Sequence, residues 1–192
     1  MREAALKRRE EIINSDMYYN LMHGMCVSNL AYEIARELGF DEGQCYEMAE
    51  AGVLHDIGKL RLSGYLYGRN EKTLGVEEMK YMRMHSKLSY DILKENQYSD
   101  FILESVLYHH ENFDGSGYPE NLKGNDIPLG ARILRVCDVF AALISDRPYR
   151  SAFDVETAVE LMIDEVKNFD MKVFLTFMRV INRDDSTKIY DI

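Results

Sequence analysis

The histidines are the residues that most restrict how this chain can fold. The chain has five histidines, and three of them lie in two short segments, His55-Asp56 and His109-His110. The first segment is followed by Gly58 and the second by a glycine-rich turn. Adjacent helical side chains diverge by about 100°, so such pairs serve one site only at a helix end or with two metals. We therefore expect a fold that brings the two segments together as halves of a metal site.

The composition is typical of a helical globular protein. The 192 residues suffice for one domain, and 46% of them are hydrophobic. Three prolines and twelve glycines interrupt long periodic runs rich in helix-forming residues. We predict an all-α fold, a single-domain bundle of about seven or eight helices. Residues 1–15 are expected to form a charged helix or leader, 16–182 the bundle, and 183–192 a polar tail.

The charge and the cysteines exclude several functions. A formal net charge of −10 disfavours general binding to nucleic-acid polymers or anionic membranes. Cys26, Cys45 and Cys137 are widely spaced, which predicts neither a disulfide framework nor a thiolate zinc site. The sequence shows no apolar run of about 18 residues and no apolar core of a signal peptide. We therefore expect a cytoplasmic protein.

Capping residues and breaks predict the order of the helices. Asp16 marks the start of a helix that runs to Leu38, with His23 on its buried face. Asp41 has the pattern of a capping box and starts a second helix that ends near His55. A loop and candidate lid are predicted over 60–75, followed by one helix over 76–96 that carries His85. A helix over 101–108, capped by Ser99 or Asp100, and a loop over 113–127 come next. The last predicted elements are a helix with Pro128 at its first position, a helix from Asp154 to about Val166, and a final helix around Phe174 and Phe177.

Asp138 is the least ordinary single residue. It shares the apolar face of a predicted helix with Leu134 and Ala141, and a buried carboxylate is costly unless it is paired or bound to a metal. His23 alone would be read as a hydrogen-bonded core histidine. The metal hypothesis therefore depends on convergence of the whole set.

The candidate metal ligands include every histidine of the chain: His23, His55, Asp56, His85, His109, His110 and Asp138. Imidazole and carboxylate ligands without thiolate suit iron, manganese or zinc. The set is too large for one ion, so we expect two ions that share a carboxylate and keep positions open for water.

Four motifs occur in a fixed order within residues 20–180: His55-Asp56-Ile57-Gly58-Lys59, His109-His110-Glu111, Asp114-Gly115-Ser116-Gly117-Tyr118-Pro119, and residues 138–143 running into Asp146-Arg147-Pro148-Tyr149-Arg150. In this combination they resemble the HD superfamily of metal-dependent phosphohydrolases, and within it the HD-GYP cyclic di-GMP phosphodiesterases. The doublet alone is moderately specific, whereas the ordered combination is highly specific. The resemblance implies the helical bundle of that superfamily.

The resemblance also implies roles for individual residues. It implies a first metal held by His23, His55, Asp56 and Asp138, and a second held by His85, His109 and His110 with Asp56 bridging. The ions would be iron or manganese, with zinc or nickel as ions that a purified sample can carry. The expected substrate contacts are Lys59, Gly117, Tyr118, Pro119, Arg147 and Arg150. Asp56 and Lys59 are the expected catalytic residues.

Two departures from the family pattern bear on these roles. Some members place a glutamate one helical turn before the first histidine as support for a third metal, and Tyr19 stands there in this chain. Two ions are therefore expected. The family's stretch after the first motif carries a proline and a Lys-Pro-Gly segment, which residues 60–70 lack.

The implied reaction is hydrolysis of cyclic di-GMP to linear pGpG, and further to GMP, by a hydroxide bridging the two metals. Such a water loses its proton far more readily than bulk water. Two alternatives stay open: hydrolysis of another cyclic nucleotide or of a mononucleotide, and a metal-bound module that docks diguanylate cyclase domains through the Gly117-Tyr118-Pro119 surface. The resemblance also allows a homodimer.

Overall fold

The computed structural model describes residues 2–66, 76–146, 150–184 and 186–190. The described residues form α-helices and two short 3-10 turns, and no strand. The helices are α1 (Arg2–Glu37), α2 (Glu42–Leu54), α3 (Lys59–Leu66), α4 (Val76–Arg83), α5 (His85–Glu95), α6 (Asp100–Leu107), α7 (Leu129–Leu143), α8 (Val155–Asp164), α9 (Met171–Ile181) and α10 (Thr187–Tyr190). The predicted all-α bundle is confirmed.

The core forms where α1, α2, α6, α7 and α9 pack against one another. Helix α1 contributes a fully buried stripe at helical spacing that includes Leu30 and Ile34. Phe140 of α7 and Phe177 of α9 meet edge to face beneath it, with ring centroids 5.0 Å apart. Because α1 and α7 lie in the centre of this core, they can hold polar residues of the site at fixed positions.

Helices α1 and α2 approach each other closely at Gly52. A Cβ atom at this position would lie only 2.6 Å from Cα of Ser28, so any side chain would force the two helices apart. This contact sets the spacing between His23 on α1 and His55 at the end of α2.

Several predicted helix starts are confirmed. The Asp41 side chain accepts from the backbone N–H of Gln44, whose own side chain returns to the Asp41 N–H, which completes the capping box. Ser99 caps α6 and Asp154 caps α8 through side-chain acceptors. Pro128 precedes α7 as its N-cap residue, one position earlier than predicted.

The predicted helix start at Asp16 is wrong, because α1 runs without a break from Arg2 to Glu37. The preceding residues are rich in Ala, Leu, Lys, Arg and Glu and contain no glycine or proline, so they continue the helix. The domain boundary predicted between residues 15 and 16 falls inside this helix.

The loop predicted over 60–75 is also wrong in its first part, since α3 extends to Leu66. Leu60, Arg61 and Leu62 favour a helix, and Leu62 buries its side chain, which outweighs the cost of about 1 kcal/mol for glycine at position 64. Residues 67–75, with the rest of the candidate lid, lie outside the described residues.

The single helix predicted over 76–96 is divided at Met84 into α4 and α5. The Nδ1 atom of His85 donates to the Met82 carbonyl at 2.5 Å. In an uninterrupted helix that carbonyl would accept from the backbone N–H of Ser86. The side chain thus competes with the helix for the same acceptor, and no glycine or proline marks the break.

Among the described residues, no helix combines the length and the apolar character needed to cross a bilayer. The three cysteines are free and buried, in agreement with the expected absence of a disulfide framework. The tail contains one short helix, α10, which the sequence analysis did not predict.

Candidate metal centre

Three histidines share one backbone interaction. The Nδ1 atom of each faces the carbonyl oxygen three residues earlier, at 2.8 Å for His55, 2.5 Å for His85 and 2.6 Å for His109. A carbonyl can only accept, so Nδ1 carries a hydrogen, and in the neutral imidazole Nε2 keeps a lone pair. These carbonyls lie in the last turns of α2, α4 and α6, where helices leave acceptors unpaired. Each histidine therefore caps a helix end and presents Nε2 as a potential ligand.

The Nε2 atoms and two carboxylates converge in the middle of the bundle. We call His23, His55 and Asp138 the carboxylate subsite, and His85, His109 and His110 the histidine subsite. Within each group, one nitrogen or oxygen atom of every residue lies within 4.8 Å of the others. Each subsite thus brings together side chains that were expected to hold the same ion.

Asp56 lies between the two subsites. Its Oδ2 atom is 3.4 Å from Nε2 of His55, and its Oδ1 atom is 3.2 Å from Nε2 of His85. One carboxylate therefore faces both groups with different oxygens, as a bridging ligand would. The bridging role itself stays a prediction.

The arrangement leaves buried polar atoms that a cation would satisfy. Nε2 of His85 lies 3.4 Å from Nε2 of His109, and both atoms keep lone pairs that repel each other. Nε2 of His55 and Oδ1 of Asp56 are buried without a hydrogen bond to any described residue. Buried polar atoms without a partner are costly. The residues present therefore fit divalent cations bound by imidazole and carboxylate.

The two subsites differ in electrostatics. Burial disfavours a charged His55, but the carboxylates of Asp56 and Asp138 outweigh burial and raise the pKa of His55 to about 10. In the histidine subsite, burial lowers the pKa of all three imidazoles, to about 3 for His110. The carboxylate subsite thus attracts positive charge, whereas the histidine subsite offers neutral lone pairs.

Neighbouring aromatic rings hold two of the histidines. The Tyr19 ring stacks on His23, with centroids 6.0 Å apart and planes at 13°. The Tyr118 ring stacks on His110 at 4.7 Å and 26°. Tyr19 occupies the position where the family pattern can carry a glutamate, and a phenol ring there packs against a candidate ligand instead of adding a carboxylate.

A cavity of about 590 Å³ opens beside the cluster and is lined in part by His85, His110 and Asp138. Lys59 also lines it, with Nζ hydrogen-bonded to Oδ2 of Asp56. Burial lowers the pKa of Lys59, but the Asp56 carboxylate outweighs burial, so the net pKa is raised and the ammonium stays charged. Lys59 therefore lies beside the candidate ligands, and its catalytic and substrate-contact roles stay predictions.

The Gly117-Tyr118-Pro119 segment packs on the histidine subsite. Tyr118 lines the cavity. Gly117 is buried within the loop, and a Cβ atom at this position would lie 2.2 Å from the backbone nitrogen of Asn112. Pro119 is exposed and follows a cis peptide bond. The substrate contacts predicted for Gly117 and Pro119 stay predictions.

Glu111 fixes the far end of the same loop, a role that the sequence analysis did not assign. Its carboxylate is buried and accepts from the backbone N–H of Glu120 at 2.7 Å. Burial raises the pKa of Glu111, and the backbone donors oppose this. The position of Glu111 directly after two candidate ligands was the signal that could have revealed it.

Arg150 is held by the end of α7. Its guanidinium donates to the carbonyl oxygens of Ala142 and Leu143 at 2.8 and 3.0 Å and lies over the Phe153 ring. These contacts close the C-terminus of α7, and the predicted substrate contact of Arg150 stays a prediction. Arg147 lies outside the described residues.

Two cations of the cavity were missed by the sequence analysis. Arg135 precedes Asp138 by three residues, so both lie on the same face of α7 and line the cavity. Arg83 also lines the cavity, and its Cζ lies 5.2 Å from the centroid of the Tyr118 ring. The helical spacing from Asp138 could have identified Arg135, whereas the place of Arg83 depends on the break before α5.

Comparison with known proteins agrees with this fold. Residues 2–173 match the family model described as HD domain. A cyclic di-GMP phosphodiesterase of Pseudomonas aeruginosa is 34% identical over 164 residues, which are 85% of this chain and 39% of that protein. The 3′3′-cGAMP-specific phosphodiesterase 1 of Vibrio cholerae is 31% identical over 170 residues, which are 88% of this chain and 39% of that protein.

Among solved structures, a cyclic GMP-AMP-specific phosphodiesterase of Vibrio cholerae superposes with a TM-score of 0.68 and 15% identity, covering 89% of this chain and 49% of the other. This similarity concerns the fold. The chain belongs to the HD-domain family, as the motifs predicted. It spans about two fifths of the length of the two curated relatives.

Proposed function

We propose that the chain is a metal-dependent phosphodiesterase that hydrolyses cyclic di-GMP to linear pGpG and, by a second cleavage, to GMP. The observation that carries this proposal is the pair of adjoining subsites with Asp56 between them, at the wall of a cavity of about 590 Å³. The name of the Pseudomonas aeruginosa relative supports the choice of substrate.

Two divalent ions, iron or manganese, would be held by the carboxylate subsite and the histidine subsite, with Asp56 as the shared ligand. The donor set of imidazole and carboxylate without thiolate suits these metals. When bound, such ions supply an activated water and positive charge opposite the developing charge of the phosphoryl group.

The residues of the chain position and neutralise the substrate. Lys59 holds Oδ2 of Asp56 and stays charged, so it keeps the carboxylate oriented and adds a cation beside the reacting phosphate. Tyr118 forms the wall above His110 and limits where the substrate can lie. Positive charge at the cavity allows an acidic protein to bind an anionic substrate.

The test is turnover by protein of known metal content. Protein loaded anaerobically with iron or manganese should convert cyclic di-GMP to pGpG. Chromatography measures the conversion, and the number of ions per chain is measured in the same sample. Protein stripped by a chelator is the control and should regain activity on reloading. Two bound ions without turnover under either metal would refute the proposal.

A second candidate substrate is 3′3′-cGAMP. The Vibrio cholerae relative is named as specific for that dinucleotide and is 31% identical. Specificity constants for both cyclic dinucleotides decide between them: a higher kcat/KM for 3′3′-cGAMP would replace cyclic di-GMP as the substrate.

The partner predictions also belong to this proposal. Pro119 is exposed, and a diguanylate cyclase domain would bind at this surface. Unchanged cyclase capture after Pro119→Glu would contradict this surface, and sedimentation of the purified chain as a monomer would contradict the homodimer. The cytoplasmic location stays a prediction, and fractionation of cells producing the chain would test it.

A further inference from the structure

Four of the described cations line the cavity beside the candidate metal centre: Lys59, Arg83, Arg135 and Arg150. Two of them already have fixed partners. Lys59 is paired with Asp56, and the guanidinium of Arg150 is held by carbonyl oxygens at the end of α7. Arg83 and Arg135 make no ion pair with any residue that the structure describes, so their charge is available to a ligand.

Within the described part of the chain, Arg135 is held at one nitrogen. Its Nε donates to Oδ1 of Asn112 at 3.0 Å. The Asn112 side chain in turn donates to Oγ of Ser116 at 2.9 Å, and that hydroxyl donates to Asp114 at 2.6 Å. This chain of hydrogen bonds fixes the plane of the guanidinium. Its two Nη atoms make no hydrogen bond to any part of the chain that the structure describes.

A guanidinium anchored through Nε presents a fork of Nη donors in a fixed plane. Such a fork matches two oxygens of a phosphate, and little side-chain entropy is lost on binding because the anchor has already ordered it. Arg83 lies over the Tyr118 ring on the exposed side of the cavity. The two arginines therefore place positive charge in the same cavity as the Asp138 carboxylate.

The charge of the proposed substrate offers a partner for the Nη atoms of Arg135. A cyclic dinucleotide carries two phosphodiesters, and only one can react at the metal centre at a time. The second phosphate keeps its negative charge, which an otherwise acidic protein of net charge −10 must neutralise locally. A substrate with one phosphate makes no such demand.

We propose that Arg135, assisted by Arg83, binds the second, non-reacting phosphate of a cyclic dinucleotide and so makes the site selective for substrates with two phosphates over substrates with one. This inference rests on the proposed phosphodiesterase function. It makes Asn112 a positioning residue, since Asn112 acts through Arg135.

The test compares two substrates in the metal-loaded protein: cyclic di-GMP, and bis(p-nitrophenyl) phosphate, which has one phosphodiester. The measured quantity is the ratio of their kcat/KM values. In Arg135→Gln this ratio should fall about tenfold to hundredfold, the effect of losing a hydrogen-bonded charge. Arg135→Lys keeps the charge without the fork of donors, so the ratio of kcat/KM values should fall less in this variant. In Asn112→Ala the ratio should also fall less than in Arg135→Gln.

Arg36→Gln is the matched control. It removes an exposed arginine that pairs with Glu33 outside the cavity, and its ratio should equal that of the wild type. Metal content and the thermal midpoint, measured for every variant, identify changes that come from folding. An unchanged ratio in folded, metal-loaded Arg135→Gln would overturn the proposal.

Cyclic di-AMP separates the phosphate from the base. If Arg135 binds phosphate, Arg135→Gln should weaken binding of cyclic di-GMP and cyclic di-AMP by the same factor in competition with fluorescein-labelled cyclic di-GMP. A loss confined to cyclic di-GMP would mean that Arg135 contacts guanine, and would overturn the proposal.

The binding measurement also separates this inference from the function beneath it. If the wild type hydrolyses no cyclic dinucleotide, the proposed function fails. A Kd for labelled cyclic di-GMP that rises about tenfold to hundredfold in Arg135→Gln would still support the phosphate contact. Equal Kd values, or no binding by the wild type, would overturn it.

Discussion

The carboxylate subsite and the histidine subsite adjoin each other but are built differently. In the first, Asp56 and Asp138 raise the pKa of His55 to about 10 despite its burial. In the second, burial lowers the pKa of His110 to about 3. One half of the centre therefore attracts a cation by charge, and the other offers lone pairs that burial keeps free of protons. Two similar ions would bind for different physical reasons.

Their scaffolds differ as well. The carboxylate subsite is carried by α1, the end of α2 and α7, which pack against one another in the core. The histidine subsite is carried by the break before α5 and by the end of α6, covered by the loop with Tyr118. We expect core packing to control the first subsite and the loop to control the second.

Asp56→Ala should have the largest effect, because Asp56 faces both subsites. We expect both ions to be lost and hydrolysis of cyclic di-GMP to fall by more than about a thousandfold. Metal analysis and turnover measure this. Retained activity would rule out the bridging role and make the two subsites independent.

Asp138→Ala and His85→Ala should separate the subsites. Each variant should lower the metal content from about two ions to about one. Anomalous scattering should show which position is empty: the carboxylate subsite in Asp138→Ala, and the histidine subsite in His85→Ala. Loss of both ions in either variant would show that the subsites fill together.

Gly52→Ala and Gly117→Ala test the two scaffolds. The new Cβ atoms would meet Ser28 and the Asn112 backbone at 2.6 and 2.2 Å, so each variant should lose about 1–3 kcal/mol in denaturant unfolding. Gly52→Ala should weaken metal binding at the carboxylate subsite, and Gly117→Ala at the histidine subsite. Gly43→Ala is the control, since its Cβ would meet only Asp41 Oδ1 at 3.3 Å. Equal loss from both subsites in either variant would contradict the assignment of scaffolds.

Proton release should give the smallest but most specific difference. A solution at pH 7.5 is below the pKa of His55, about 10, so an ion entering the carboxylate subsite must displace about one proton. The same pH is above the pKa of His110, about 3, so the histidine subsite should release almost no proton. Below the pKa of His55, metal affinity at the carboxylate subsite should therefore rise about tenfold for each unit by which the pH is raised.

Calorimetry in buffers of different ionisation enthalpy measures these protons. His85→Ala reports on the carboxylate subsite and Asp138→Ala on the histidine subsite. The same number of protons released in both variants would remove the electrostatic distinction.

Local patterns explain which predictions from the sequence succeeded. The caps at Asp41, Ser99 and Asp154 depend on a side chain and a backbone N–H a few residues apart, so the sequence contains both partners. The start at Asp16 failed for the converse reason: an aspartate suited to a cap does not stop a helix whose preceding residues favour helix. The break at Met84 depends on where the His85 side chain donates.

For the site, the sequence by itself determined the candidate ligands, because a chain with five histidines and helix-end doublets leaves few alternatives for a metal site. The family resemblance already implied how those ligands divide into two subsites, whereas tertiary structure decided which described cations of the cavity are already paired. Arg150 is held by carbonyl oxygens of α7, whereas Arg135 is anchored through Asn112 with its Nη atoms without a described partner. Residue type and helical spacing fix what chemistry is available, but pKa values and free donors depend on neighbours distant in sequence, which only packing brings together.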